Sequence, residues 1–178
     1  MKLGREKVNP LHLRVFNVAA WVALLLPIPV SAGEATGCAP EQRTLFSCST
    51  GKKLLSVCGS RDLTVSSGYL HYQVRRADSL ELSYPPADVD WRTGNLVQGG
   101  TWLFSGGGGA FMSFTNSPYR YVVYSATGRG WGSKAGAVVE KNGSRIASLK
   151  CKGKVISELG PDLFTQIRIS EAAEFSLP

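Results

Sequence analysis

The sequence predicts an all-β fold: a single antiparallel meander of about eight to nine strands that forms a barrel or a strongly curved sheet, with a short C-terminal helical turn. Three observations predict it. Short runs of β-forming residues alternate apolar and polar side chains. Turn residues bound nearly every run. Three of the four cysteines, Cys38, Cys48 and Cys58, are spaced ten residues apart around the first hairpin.

The predicted strands follow one another along the chain. Within the run at 69–74, Leu70, Tyr72 and Val74 share one face, whereas His71 lies on the polar face. Asn142-Gly143 is the strongest hairpin signal in the chain. The runs are 44–48, 53–58, 69–74, 80–84, 101–104, 110–115, 119–126, 135–141 and 144–151, with a shorter β-like piece at 63–65.

The connecting segments are predicted from their proline and glycine content. Residues 85–100 form the longest stretch without a strand pattern, so this loop is the one most suited to a functional role. Residues 105–109 are expected to be a flexible hairpin loop, and residues 127–134 a second glycine-rich loop. Pro161 suits the first position of a helical turn, and 167–169 is expected to be a last short strand or a packed tail.

Residues 1–32 read as a signal peptide, which leaves one disulfide-linked β domain at 33–178. Four Lys and Arg residues precede an apolar run of about 16 residues, and Val30-Ser31-Ala32 provides a cleavage site. This predicts a periplasmic or secreted protein with no transmembrane span after cleavage. Two alternatives stay open: an uncleaved N-terminal anchor, or a lipoprotein in which Cys38 is lipidated instead of disulfide-bonded.

The charge balance favours certain partners over others. The 178-residue chain carries a net charge of +7, of which residues 1–32 contribute +3. The remaining excess is mild, and it favours a protein partner or an anionic envelope component. No helix concentrates the positive charge, so nucleic acid is not expected as a partner.

The strand count predicts which cysteines pair. An exported domain meets an oxidising compartment, so two disulfides are expected. If the first hairpin forms, Cys48 and Cys58 lie roughly 16 Å apart along it, beyond the ~7 Å limit of a disulfide. Ser144–Cys151 is the ninth strand and ends beside Cys48. The prediction is therefore Cys38–Cys58 and Cys48–Cys151.

Catalytic chemistry has little support in the sequence. The domain has one histidine, His71, with no nucleophile motif around it, and Asp88 and Asp90 are the only carboxylates suggestive of a hydrolase pair. Cysteine spacings do not match structural zinc sites. We therefore expect no catalytic residues, no metal and no cofactor.

Binding is the remaining class of function. Trp91 and Arg92 in the long loop, and Arg129, Trp131 and Lys134 in the second glycine-rich loop, are the candidate binding residues. Aromatic and arginine side chains on β-scaffold loops are common interaction anchors. The alternative is that these aromatic rings fill the core.

Three segments carry a resemblance. Thr-Leu-Phe-Ser-Cys48, Lys-Leu-Leu-Ser-Val-Cys58 and Tyr-Val-Val-Tyr124-Ser are similar to those of a set of small exported bacterial proteins of uncharacterised function, which implies the periplasm and no activity. The layout of signal, β-domain and disulfides also resembles the periplasmic lysozyme inhibitors, in architecture only. The expected function is a non-catalytic binding protein of the bacterial cell envelope, such as an enzyme inhibitor, although a basic protein is a poor match for basic lysozyme. The alternatives are a hydrolase acting on envelope polymers and an envelope structural or assembly factor.

Overall fold

The structure, a computed structural model, describes residues 36–178. The predicted signal peptide, residues 1–32, lies outside the described residues. The described part contains eleven β-strands, one 3₁₀ turn at Thr93–Asn95 and one short α-helix. The all-β class and the single C-terminal helical turn are therefore confirmed.

The strands are numbered in chain order. They are β1 (Gln42–Ser49), β2 (Leu54–Ser60), β3 (Leu70–Arg76), β4 (Ser79–Tyr84), β5 (Val97–Phe104), β6 (Gly107–Asn116), β7 (Tyr119–Gly128), β8 (Gly132–Lys141), β9 (Ser144–Lys150), β10 (Lys152–Ser157) and β11 (Ser170–Glu171), with helix α1 (Pro161–Ile167) between the last two.

The strands form two sheets instead of one meander. Sheet 1 has the order β10-β1-β2-β3-β4, and sheet 2 has the order β11-β5-β6-β7-β8-β9. All pairs are antiparallel except β11 with β5. The chain passes from sheet 1 to sheet 2 through the proline-containing loop after β4, and it returns to sheet 1 at Cys151. Within the described residues neither sheet closes on itself, so the fold shows no closed barrel.

One hydrophobic core lies between the two sheets. Alternating side chains of sheet 1, such as Phe46 and Tyr72, meet Met112 and Phe114 of sheet 2. The Tyr72 and Phe114 rings stack with their centroids 5.5 Å apart. Helix α1 adds Leu163 to the same cluster. Burial of these side chains on both inner faces holds the sheets together.

The outer face of sheet 2 is covered by the end of the chain. We call residues 172–178 the C-terminal strap. Phe175 of the strap is 3% exposed and packs with Phe111, Val122 and Tyr124 in a second apolar cluster. The Trp102 Nε1–H donates to the Phe175 carbonyl at 3.0 Å.

The outer face of sheet 1 is covered near the other end of the described chain. The hydroxyls of Ser47 and Ser56 both donate to the Thr36 carbonyl. The side-chain amide of Gln73 donates to the Gly37 carbonyl. These polar side chains therefore fix the extended segment that leads to Cys38.

Both predicted disulfides are confirmed. Cys38 is bonded to Cys58 and Cys48 to Cys151, each with Cα atoms 5.6 Å apart. In the first hairpin Thr44 lies opposite Cys58 and Cys48 lies opposite Leu55. The hairpin thus separates Cys48 from Cys58, as the argument from spacing required. The strand before Cys151 is the ninth, as counted.

Two local predictions were wrong, and one strand was missed. The segment 63–65 is not a strand but part of a turn, in which the Thr64 N–H donates to the Ser67 carbonyl. The glycines 107–109 are not a loop; they belong to β6 and pair with 102–104, leaving a two-residue turn at 105–106. Strand β10 was not predicted. Residues 167–169, predicted as a last short strand or a packed tail, are packed: Ile167 and Ile169 contact the main core, and the last short strand follows at Ser170–Glu171.

Candidate functional site

The five candidate binding residues fall into two groups on different loops. Trp91 and Arg92 lie in the connection between β4 and β5. Arg129 and Trp131 lie in the turn between β7 and β8, and Lys134 follows in β8. The two groups contact different elements, so each is described separately.

Trp91 and Arg92 hold a loop in place. The Trp91 side chain is 3% exposed and belongs to the main core. The Arg92 guanidinium lies 4.4 Å from the centroid of the Trp91 rings. It donates hydrogen bonds to carbonyl oxygens of four residues in the turn after β2, which are Thr64, Val65, Ser67 and Gly68. Five planar donors suit this cluster of acceptors.

Asp90 completes the Arg92 contacts. Its carboxylate accepts hydrogen bonds from the Arg92 backbone N–H at 3.1 Å and from the guanidinium at 3.0 Å. These bonds favour the charged carboxylate and lower the pKa of Asp90. An ionised Asp90 is a poor proton donor, which disfavours it as the general acid of a hydrolase pair with Asp88.

The second group lies where two hairpins of sheet 2 end side by side. Gly107 of β6 lies opposite Gly128 of β7, so the β5–β6 and β7–β8 turns occur at the same end of the sheet. The Arg129 N–H donates to the Gly106 carbonyl at 3.2 Å, which joins the two turns directly. We call Trp102, Leu103, Phe104 and Trp131 the aromatic tip.

Three rings of the tip form a continuous row on the outer side of sheet 2. The Trp102 and Phe104 ring centroids are 6.3 Å apart, and the Phe104 and Trp131 rings meet edge to face at 5.9 Å. The Trp131 ring lies directly on Gly128, and a Cβ added to this glycine would collide with the ring. The glycine therefore creates the seat for this ring. Trp131 remains 39% exposed.

Leu103 points to the other side of the same hairpin. Successive strand side chains alternate between faces, so Leu103 is opposite to Trp102 and Phe104. It is 95% exposed, the largest exposure among the large exposed apolar side chains of the described residues. Its partner strand carries only glycine at this end. The β5–β6 hairpin is thus apolar on both faces where it ends.

Positive charge surrounds the aromatic tip. Arg129 and Lys134 are exposed, and Lys150 is exposed at the end of β9. The Lys134 Nζ lies 5.5 Å from the Trp131 ring centroid and donates to the Pro178 carbonyl at 2.9 Å. A partner of the tip therefore meets apolar and aromatic surface bordered by cations.

The sequence predicted Trp131 as a binding residue, but it did not predict the three tip residues of β5 as such. Trp102-Leu103-Phe104 was read only as a strand. The available signal was an unbroken apolar run that reaches a turn, followed by glycines that cannot cover it.

The remaining titratable candidate is His71. Its ring stacks on Tyr69 with centroids 5.8 Å apart, on the outer face of β3 opposite Cys58. Burial lowers the pKa of His71 below its ordinary value of 6.5, so the imidazole is neutral at neutral pH. Among residues 36–178 no group of three or more His, Cys, Asp or Glu side chains could hold a metal ion.

The fold and the site define a two-sheet, disulfide-linked β-protein with an exposed aromatic end. Comparison with protein families, with curated proteins and with solved structures finds no match. In the described part of the chain no helix is long and apolar enough to cross a membrane.

Proposed function

We propose that this chain is a non-catalytic binding protein of the bacterial cell envelope, periplasmic or secreted, and that it binds its partner with the aromatic tip. The observation that carries the proposal is the 95% exposure of Leu103 on one face of the β5–β6 hairpin end, together with the accessible Trp131 ring on the opposite face. Leaving large apolar side chains in water at the end of a hairpin is unfavourable. Clustered exposure of this kind marks interaction sites.

The contacts of the five candidate residues separate structural residues from residues that are accessible to a partner. Trp91 is buried, and its ring offers little surface to a partner. Arg92 is engaged with backbone carbonyls. Trp131, Arg129 and Lys134 are accessible, so they are the predicted residues that support binding. The cations favour an acidic protein or an anionic envelope component.

The cysteines support the proposed compartment. Every cysteine of the chain is in a disulfide. Disulfides of this kind form and persist in oxidising compartments, which supports a location outside the cytosol.

A pull-down tests the proposal. The purified protein is immobilised and exposed to soluble and membrane fractions of the envelope. Two single variants are compared with the wild type, Leu103→Ser and Trp131→Ala. Each is expected to reduce retention of the captured component by about tenfold, because each removes apolar contact area that contributes more than about 1 kcal/mol to binding.

The matched control is Ile146→Ser. Ile146 is 56% exposed near the β8–β9 turn, at the other end of sheet 2, and its replacement is expected to leave retention unchanged. Equal retention by the tip variants and the wild type would overturn the proposal. Thermal unfolding of each variant is compared with that of the wild type, to check that the fold is intact.

A further inference from the structure

The aromatic tip is apolar in two directions. Trp102 and Phe104 are on one face of the β5–β6 hairpin and Leu103 is on the opposite face. The adjacent β7–β8 turn adds Trp131. A flat protein surface would contact one face of such a hairpin and leave the other face in water. A medium that surrounds the hairpin end would cover both.

The charges suit an interface between water and lipid. Tryptophan rings concentrate at the headgroup level of bilayers. Lys and Arg side chains place their apolar stems along hydrophobic surface and their charges among the headgroups. Arg129 and Lys134 lie at the same end of sheet 2 as the apolar side chains, and Lys150 lies farther back, opposite Gly136 in the middle of β8. Cations near an anionic membrane strengthen its attraction for a protein.

The opposite end of sheet 2 has similar residue types with a different charge balance. There, Lys141 lies 5.5 Å from the Tyr119 ring centroid, as Lys134 lies from that of Trp131. Arg120 at that end forms an ion pair with Glu140 at 3.1 Å. The turn there is the polar pair Asn142-Gly143. This end therefore provides matched controls in the same molecule.

We propose that the partner of the aromatic tip is an anionic lipid surface, into which the ends of the β5–β6 and β7–β8 hairpins insert. The inference rests on the proposed function and names its ligand class. In this arrangement Leu103, Phe104 and Trp131 enter the headgroup and upper acyl region. Arg129 and Lys134 remain at the level of the lipid phosphates.

Vesicle co-sedimentation tests the inference. The purified protein is mixed with vesicles of phosphatidylcholine alone, or of equal parts phosphatidylcholine and phosphatidylglycerol. The wild type is expected to bind the mixed vesicles and to bind the neutral ones at least about tenfold less. Leu103→Ser is expected to weaken binding to the mixed vesicles by about tenfold, and Lys134→Gln by about fivefold.

The controls are Ile146→Ser and Lys141→Gln, which are expected to bind the mixed vesicles as the wild type does. Absence of wild-type binding to these vesicles would overturn the lipid assignment. If an envelope protein is still retained by the wild type and lost in the tip variants, the proposed binding function stands. Unchanged vesicle binding of Leu103→Ser would also overturn the inference, because binding would then depend on net charge alone.

Discussion

At the scale of single residues, side chains of the same type in different loops have different roles. Arg92 and Arg129 are both arginines beside a tryptophan in a loop. The Arg92 guanidinium is surrounded by carbonyl acceptors and covers a buried ring. Arg129 is exposed next to the tip. An arginine in these loops has a structural role when backbone carbonyls surround its guanidinium, and it is accessible to a partner when they do not.

Arg92→Lys is expected to destabilise the fold by about 2 kcal/mol without affecting binding. A lysine keeps the charge but has one donor centre, so it cannot reach all the carbonyls that the guanidinium fork binds. The measurement is urea unfolding followed by tryptophan fluorescence. Arg129→Lys is the matched control and should leave the unfolding midpoint unchanged. Equal midpoints for wild type and Arg92→Lys would contradict this account.

The candidate site could be predicted from the sequence only in part. Residue type and loop position correctly placed Arg129 and Trp131 on one accessible turn, whereas Lys134, predicted in the same loop, lies in β8. The same criteria could not separate Trp131 from Trp91, because burial depends on which surfaces the sheets bring together. Gly128 shows this limit most clearly. The Trp131 ring packs on Gly128 because this residue has no side chain, and the sequence alone does not show which ring uses that space.

At the scale of elements, the C-terminal strap gives sheet 2 a second apolar layer. Its backbone carbonyls are bound by long side chains of the sheet instead of by a neighbouring strand. Arg145 donates to the Ser176 carbonyl at 3.1 Å, and Arg120 to the Ala173 carbonyl at 3.4 Å. The strap therefore depends mainly on its one buried ring, Phe175.

Phe175→Ala is expected to detach the strap and to lower the free energy of unfolding by about 3 kcal/mol. The substitution removes the ring that contacts Trp102, Phe111 and Tyr124. Hydrogen exchange of the strap amides and urea unfolding measure the two effects. Glu174→Ala, at an exposed strap position, is the control. Normal protection of the strap in Phe175→Ala would show that another contact holds it.

Strands were predicted correctly where the local sequence pattern determines them, and they were missed where pairing with a distant strand determines them. The run at 69–74 alternates strictly and was found as β3. Lys152–Ser157 has little apolar alternation and is a strand because it pairs with β1 at the edge of sheet 1. The glycines 107–109 form a strand because they lie between β5 and β7. No local signal contains that information.

At the scale of the whole molecule, the chain crosses between the sheets at Cys151. Strand β9, before this residue, is an edge strand of sheet 2, and strand β10, after it, is an edge strand of sheet 1. The Cys151 N–H donates to the Ala135 carbonyl of sheet 2, whereas its sulfur is bonded to Cys48 of sheet 1. The all-β class could be predicted without this crossing, but the division into two sheets could not.

The two disulfides should therefore contribute unequally to stability. The Cys48–Cys151 bond spans 103 residues and connects the two sheets, whereas Cys38–Cys58 spans 20 residues on one face of sheet 1. The chain-entropy relation gives about 4–5 kcal/mol for the long loop and about 3 kcal/mol for the short one. Each paired substitution by alanine is measured by urea unfolding at 25 °C.

The expected order is that Cys48→Ala/Cys151→Ala loses more stability than Cys38→Ala/Cys58→Ala. Each pair also removes one buried side chain, since Cys48 is 2% and Cys58 is 0% exposed, so the expected order rests on loop length and on the connection between the sheets. The second pair is expected to release mainly the segment at 36–38, because hydrogen bonds from Ser47, Ser56 and Gln73 are then the contacts that hold it. A larger loss from the second pair would mean that this segment, and not the junction at Cys151, holds the sheets together.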